Sequence, residues 1–548
     1  TSKVNFIKDR FVDYYGLTSH FWHHANEDDR RLVLPHLSEF SLVKGRRLYA
    51  FAQELENDKE RIDAFGETVL WLKKYLNLVE FSNKQKAKQK QEIAQKPNLA
   101  TQEYFLYADA NFEAQQHETA LIVYKMLAYS PLYFKQQEVN ANETDDSASL
   151  ASESLSLEYI RKESAYASIV TNNELLMPFT LNANQENKKE QVLDKKHQQL
   201  LVERQQLTDL FIEHYHSDRR ATLVAVKAAE YAFEQNNIDD VIRYSNFVLK
   251  TYQVNSLLAV KSQKQNIAKL DKIALKQVAI VSQLKANIRY QFKQYSQSEQ
   301  DYLLALNFVS EKSTKQALNE LVASSIYEQA KSDKALATEL TNESAIKHYL
   351  RLGQLVPQSK YRANAEFDAA NLLLAGKKWS RAIGVLTQFK QQFPHHQYVS
   401  TIPAKLALCY ESLGDWSQAA KQLLVMVSTE KDVELKRESQ YTAAEYYLKA
   451  GDFNNALINF RTYAHQYPEP FGIAQEVRFK MSEFYRKSKE ANKRYFWYRK
   501  MIKYHQEQAT ISEDNLERST YLVSYAALNL GQAHQQTFNQ IKLKVPLN

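Results

Sequence analysis

The chain of 548 residues holds only ten glycines and ten prolines, far below the roughly 7% and 5% of average usage. That leaves little material for tight hairpins or glycine-rich phosphate loops and argues against a sheet protein. A single cysteine, Cys409, excludes an internal disulfide. One thiol fits a reducing cytosol or an export route that avoids stray thiols, so composition leaves the compartment open. No apolar run approaches the roughly 18 residues that read as a membrane span, and no basic start is followed by an apolar stretch. The first residue is Thr1, which suggests a processed or excised piece with any targeting signal outside it. Nucleophile-elbow, Walker and dinucleotide glycine fingerprints are all missing. Catalysis and a cofactor are therefore not expected.

What the sequence does have is a period. Trp379, Trp416 and Phe453 recur every 37 residues, each followed three residues later by Ala382, Ala419 or Ala456. Ala370, Ala407 and Ala444 keep the same step, as do Leu386, Leu423 and Phe460, and Phe389, Met426 and Tyr463. Pro357, Pro394 and Pro468 fall one and two periods apart, while Lys431 stands where another proline is expected. Small residues allow two helices to approach and larger ones fill the groove between neighbouring repeats. Each proline stops the preceding helix, because it lacks an N–H and restricts φ. A period of this length with a small and an aromatic column predicts stacked helix-turn-helix repeats.

The phrases Leu413-Gly414-Asp415-Trp416-Ser417-Gln418-Ala419-Ala420 and Ala450-Gly451-Asp452-Phe453-Asn454-Asn455-Ala456 resemble the turn between the two helices of a tetratricopeptide repeat. The resemblance implies an all-α fold, an α-solenoid wound as a right-handed superhelix of TPR-like helix-turn-helix repeats. It is strongest from about 345 to 504, with looser copies at Tyr104–Pro131, Ala228–Leu249 and Leu284–Leu306. We therefore divide the chain into N-terminal helical repeats (1–97), degenerate TPR-like repeats (98–275) and a TPR array (276–548). Polar insertions are expected near 138–157 and 182–196, and a hinge near Pro97.

A narrower resemblance rests on Lys8-Asp9-Arg10-Phe11-Val12-Asp13-Tyr14-Tyr15-Gly16-Leu17, Ala365-Glu366-Phe367-Asp368-Ala369-Ala370, Pro403-Ala404-Lys405-Leu406-Ala407 and Phe538-Asn539-Gln540-Ile541-Lys542-Leu543. These stretches resemble large exported repeat proteins of Gram-negative bacteria related to gliding-motility and envelope complexes. That resemblance implies a periplasmic or outer-membrane-associated scaffold, envelope energy-coupling or outer-membrane partners, and further sequence on both sides.

The net charge of +7 raises a nucleic-acid reading, with Lys493-Arg494-Tyr495-Phe496-Trp497-Tyr498-Arg499-Lys500 as its best local support. Trp497, Met501 and Tyr504 share one face of that helix, however, so packing is the stronger expectation and no nucleic acid is expected. Lys84, Lys86, Lys88 and Lys90 turn about 200° per step on a helix and so encircle it. His20, His23, His24 and Glu27 can share a helix face, but no further ligand completes a metal site. Asp415 and Asp452 are read as helix caps.

Function is then expected on a protein-binding surface. In tetratricopeptide repeats, the first-helix side chains that point away from the partner helix line the concave groove. Carried over by register, these are Asn364, Phe367, Asn371 and Leu374, then Glu438, Tyr441 and Glu445, then Arg478, Ser482 and Tyr485. Aromatics among amides and charges suit an extended peptide or a partner helix. The family's lysine clamp for a chain terminus is not reproduced, since Phe367, Ala404 and Tyr441 occupy its column. The expected function is a non-enzymatic scaffold of protein–protein interactions in a bacterial envelope complex. The alternatives are a cytoplasmic TPR adaptor for a partner peptide and, behind it, an RNA-binding helical repeat.

Overall fold

The computed structural model describes residues 2–88, 100–131, 156–183, 195–254, 270–508 and 512–542. The insertion expected at 138–157 lies outside these residues except for its last two. Most of the 182–196 stretch, Lys90 and Pro97 also lie outside them. The chain divides into two compact units, Thr1–Leu284 and Lys285–Asn548.

The first unit contains α1 (Ser2–Tyr15), α2 (His20–His24), α3 (Glu27–Gln53), α4 (Asp58–Lys88), α5 (Thr101–Glu113), α6 (His117–Tyr129), α7 (Leu157–Ala183), α8 (Lys195–His214), α9 (Arg220–Glu234) and α10 (Ile238–Thr251). The boundary falls inside α11 (Lys272–Gln291). The second unit continues with α12 (Tyr295–Leu306), α13 (Lys312–Ala335), α14 (Glu339–Leu355), α15 (Arg362–Ala375), α16 (Trp379–Gln392), α17 (Ile402–Ser412), α18 (Trp416–Thr429), α19 (Val433–Lys449), α20 (Phe453–Gln466), α21 (Phe471–Lys487), α22 (Ala491–Gln506) and α23 (Glu513–Asn539). Among the described residues every regular element is helical, and consecutive helices pack as hairpins. The architecture is an all-α solenoid of TPR-like helix-turn-helix repeats.

One turn builds most of the hairpins. The first helix ends in a residue with positive φ, and the next N–H reaches back five residues to a helix carbonyl. Asp415 N donates to Tyr410 O at 2.9 Å, Lys378 N to Leu373 O at 2.8 Å, Gln294 N to Arg289 O at 2.8 Å and Gln116 N to Asn111 O at 2.8 Å. This bond satisfies a carbonyl that the helix end would otherwise leave free. The positive-φ residue is Gly414 (φ 75°) or Gly451 (φ 76°) in two turns, but Gln115, Asn236, Lys293, Lys377 and Lys489 in others. A residue with a Cβ at this φ is strained by roughly 1 kcal/mol, so the turn is set by packing as well as by glycine. Asp415 accepts from Gln418 N at 3.1 Å and Asp452 from Asn455 N at 3.1 Å, capping the second helices.

The columns find their place in the packing. Ala370, Ala382, Ala419, Ala444 and Ala456 are fully buried and Ala407 nearly so, which brings facing helices together. Leu386, Phe389, Phe460 and Tyr463 fill the grooves behind them. The aromatic column stands on the first residue of α16, α18 and α20. Trp379 and Trp416 are half-buried, and the Trp416 ring lies 5.2 Å from Tyr446 of the next hairpin with Lys449 Nζ 4.6 Å from its centroid. Phe453 departs from the groove-filling expectation: at 55% exposed it meets Phe484 only at 6.4 Å. Its position at the helix tip, beyond the alanine seam, leaves it at the rim.

Candidate functional site

The first helices α15, α19 and α21 carry the predicted surface, and two of its segments share a construction. On α15, Phe367 and Asn371 stand one turn apart on one face. Lys405 of α17 donates to Asn371 Oδ1 at 3.0 Å, and its Nζ sits 5.4 Å from the Phe367 centroid. On α19, Tyr441 and Glu445 hold the same spacing. Lys480 of α21 donates to the Tyr441 hydroxyl at 3.1 Å, pairs with Glu445, and lies 5.2 Å from the Tyr441 ring. Each lysine thus clamps an aromatic and a polar partner on the preceding first helix. Cation–ring and hydrogen-bond contacts of this kind hold rings in place while leaving an edge to solvent.

Phe367 also stacks on Tyr398 at 4.2 Å, and Tyr441 lies 6.1 Å from Phe460 and 5.7 Å from Tyr463. Phe367, Asn371, Leu374, Tyr441 and Glu445 are half-buried, while Asn364 and Glu438 are exposed beside them. Burial alone would lower the pKa of Lys480, but the bonds to Glu445 and Tyr441 outweigh it and leave the ammonium favoured.

The third predicted segment is placed differently. Arg478 is 8% exposed, Ser482 0% and Tyr485 5%, so the structure gives these three no open surface. The reason lies in the last helices. Arg518 of α23 pairs with Glu476, Phe479 meets Tyr525 at 5.6 Å, and Gln475 Nε2 donates to Ser519 Oγ at 3.2 Å. Tyr504 of α22 covers the Arg478 guanidinium at 3.9 Å. Arg478 donates to Ala474 O, Ser482 to Phe479 O, and Tyr485 joins the core with Met481 and Trp497. Burial pulls the Arg478 pKa down, with the Tyr504 and Tyr463 phenols acting the other way.

Sequence reasoning missed Lys405 and Lys480. Both follow the residues of the searched column, one place after Ala404 and two after Arg478, so a scan for a lysine in strict register passes over them. The clamp is completed across two hairpins, whereas the register compares one helix at a time. Other candidates resolve more simply. The His20 and His24 rings stack at 4.0 Å, with His24 Nδ1 2.9 Å from His20 O. Trp497, Tyr498 and Met501 are buried, while Lys493 pairs with Glu490.

A scan against protein-family models returns no match, and no curated protein sequence matches the chain. Solved structures with a similar helical course include YrrB, a TPR protein with an unusual peptide-binding site (15% identity over 39% of this chain and 98% of that one, TM-score 0.18). Yeast Tom70 matches at 11% identity over 98% of this chain and 100% of its own, with TM-score 0.21. A signal transduction ATPase with a tetratricopeptide repeat sensor from Pyrococcus horikoshii matches at 12% identity over 80% and 72%, with TM-score 0.23. At these scores the repeat class rests on the hairpins, turns and alanine seams of the chain itself.

Proposed function

We propose that the chain is a non-enzymatic scaffold that binds segments of other proteins along the first helices of its second unit, and that it works in a bacterial cell-envelope complex. The observation that carries the binding role is the repeated clamp. Two aromatics, Phe367 and Tyr441, are fixed by lysines from the following first helix with one side in reach of solvent, and the exposed Asn364 and Glu438 lie beside them. Fixed rings supply contact area at low conformational cost, and the surrounding amide, carboxylate and ammonium groups can pair with a backbone. The envelope setting draws on the resemblance of the stretches around Phe11, Phe367, Ala404 and Phe538 to exported repeat proteins. Partners of the energy-coupling and outer-membrane type follow from that same resemblance.

The test is in-cell photo-crosslinking from positions 364 and 438, which are open to solvent, with mass spectrometry of the products. Adducts with envelope proteins, lost on Phe367→Ala or Tyr441→Ala, are expected. Adducts only with cytosolic proteins would establish the adaptor alternative in its place. Absence of adducts at both positions would mean that this face is not where the protein works.

A further inference from the structure

The first unit holds a cleft that the predicted surface does not include. It measures about 680 Å³ and lies among α7, α8, α9 and the start of α10. Leu207 and Phe211 of α8 join a core cluster with Ala165 and Ile169 of α7 and Ala221 and Val224 of α9, and beside this cluster the cleft opens between α8 and α9. Tyr166, Ile169, Leu201, Val224 and Tyr231 supply much of its apolar wall, and Val202 and Leu223 stand exposed along it at 56% and 42%. A cleft of this size lies within the roughly 300–1,000 Å³ of ligand pockets. It admits one large side chain and its neighbours but not a folded surface.

The charges along the wall decide what fits. Asp240 accepts from Arg243, Gln205 and Asn237, and Lys227 pairs with Glu230 at 2.7 Å. Arg204 is different. Its guanidinium lies 3.5 Å from the Tyr231 ring centroid; burial disfavours its charge, while the Tyr231 phenol and, more weakly, the Glu234 carboxylate favour it. Among the described residues its buried Nη2 has no hydrogen-bond partner and no carboxylate lies within ion-pair distance of it. The buried Nη2 donor, left without a partner, is the group that a planar anion entering the cleft would satisfy. At the rim, the exposed amide side chains of Asn173 and Gln235 can pair with peptide groups.

We propose that this cleft binds an extended peptide segment in which a large apolar side chain stands next to an acidic one, the apolar group against Tyr166 and Leu201 and the carboxylate on Arg204. The recognised charge is a side-chain carboxylate inside the segment and not a chain terminus. The site shares no residue with the second unit's clamps and stands or falls without them.

The test uses the full chain and fluorescein-labelled hexapeptides, acetylated and C-terminally amidated, with Phe or Ala at the third position and Asp, Asn or Lys at the fourth. Fluorescence anisotropy is expected to show saturable binding of the Phe-Asp peptide. Asn in place of Asp should weaken binding about tenfold, the scale of a lost charged hydrogen bond, and Ala in place of Phe should weaken it further. Arg204→Gln should make the Asp and Asn peptides bind alike. Leu223→Glu, at an exposed wall position, should abolish binding with an unchanged melting temperature, so the test survives even if Arg204→Gln fails to fold. Equal binding of the Asp, Asn and Lys peptides, no saturable binding, or discrimination that persists in Arg204→Gln would overturn the proposal. Saturable binding of decanoate with none of the peptides would overturn it as well, by assigning the cleft to a free amphipathic acid.

Discussion

The hairpins from Arg362 to Gln466 and the stretch from α7 to α10 use related parts and close to different degrees. In the former, alanines at 370, 382, 407, 419, 444 and 456 let each helix settle against its neighbours. In the latter, the turn at Asn236 has the same left-handed backbone and the same return bond, Asn237 N to Ala232 O at 2.9 Å. Yet α8 offers Leu207, Thr208 and Phe211 in place of a small-residue seam, and a cleft remains toward α9. The turn makes a hairpin, and the size of the seam residues determines how tightly successive hairpins stack. Close packing explains why: at near-crystalline density a single methylene is felt.

The strongest way to probe this comparison is inside the closed array. Phe389→Ala, at a fully buried position, should destabilise the chain by about 3–5 kcal/mol. Phe453→Ala, in the exposed column, should stay within about 1 kcal/mol. Denaturant melts of the two variants decide whether columns or burial govern stability. Next in size, Ala419→Leu should destabilise by about 1–3 kcal/mol through overpacking. Leucine at Ala228, which lines the open cleft, should be tolerated within about 1 kcal/mol. Equal effects at the two positions would remove the distinction between seam and cleft.

The turns predict smaller changes. Nothing lies within 4 Å of a Cβ built at Gly414, so Gly414→Ala should cost about 1 kcal/mol through φ alone. Lys377→Gly, at φ 55° in the preceding hairpin, should stabilise by a few tenths up to about 1 kcal/mol, because relief of strain exceeds the added chain entropy. A loss of stability there would show that the lysine side chain, and not the backbone, sets that turn.

The smallest perturbation reads the seam through a single buried thiol. Cys409 is fully buried in the cluster with Ala365, Ala369 and Ala382, and burial pushes its thiol up to about 11, with Lys405 acting in the opposite sense. Since the thiolate is the reactive form, iodoacetamide at pH 8 should alkylate the native chain far more slowly than the unfolded chain. The folded pKa is raised, so native reactivity should rise only as the pH climbs toward 11. Ala419→Leu should speed the native reaction by opening the seam. An unchanged rate in that variant would mean that its strain is absorbed elsewhere.

Much of the fold could be read from the residues. The alanine columns, the prolines after α14, α16 and α20, and the aspartate caps at Asp415 and Asp452 act locally, so their spacing carries the information. The turns at Gln115, Lys293 and Lys489 could not be read that way. They adopt a glycine-like φ without glycine, held by the helices on either side. The candidate surface was legible only in part. Phe367 and Tyr441 follow from the register, but their clamping lysines come from a first helix about 38 residues further on, at Lys405 and Lys480.

The sequence by itself determined the helical hairpin, its period and the small seam that stacks one hairpin on the next, because each depends on contacts within a helix or between adjacent ones. The tertiary structure alone decided which first-helix faces stay open. Arg478, Ser482 and Tyr485 occupy the same kind of position as Asn371 and Tyr441 but are buried, with Tyr504 of α22 against Arg478 and Trp497 of α22 in the cluster with Tyr485. It alone also left Arg204 at an apolar cleft with a buried Nη2 that has no hydrogen-bond partner among the described residues. Whether a side chain meets solvent or another helix is fixed by segments distant along the chain, and a local pattern carries no record of them.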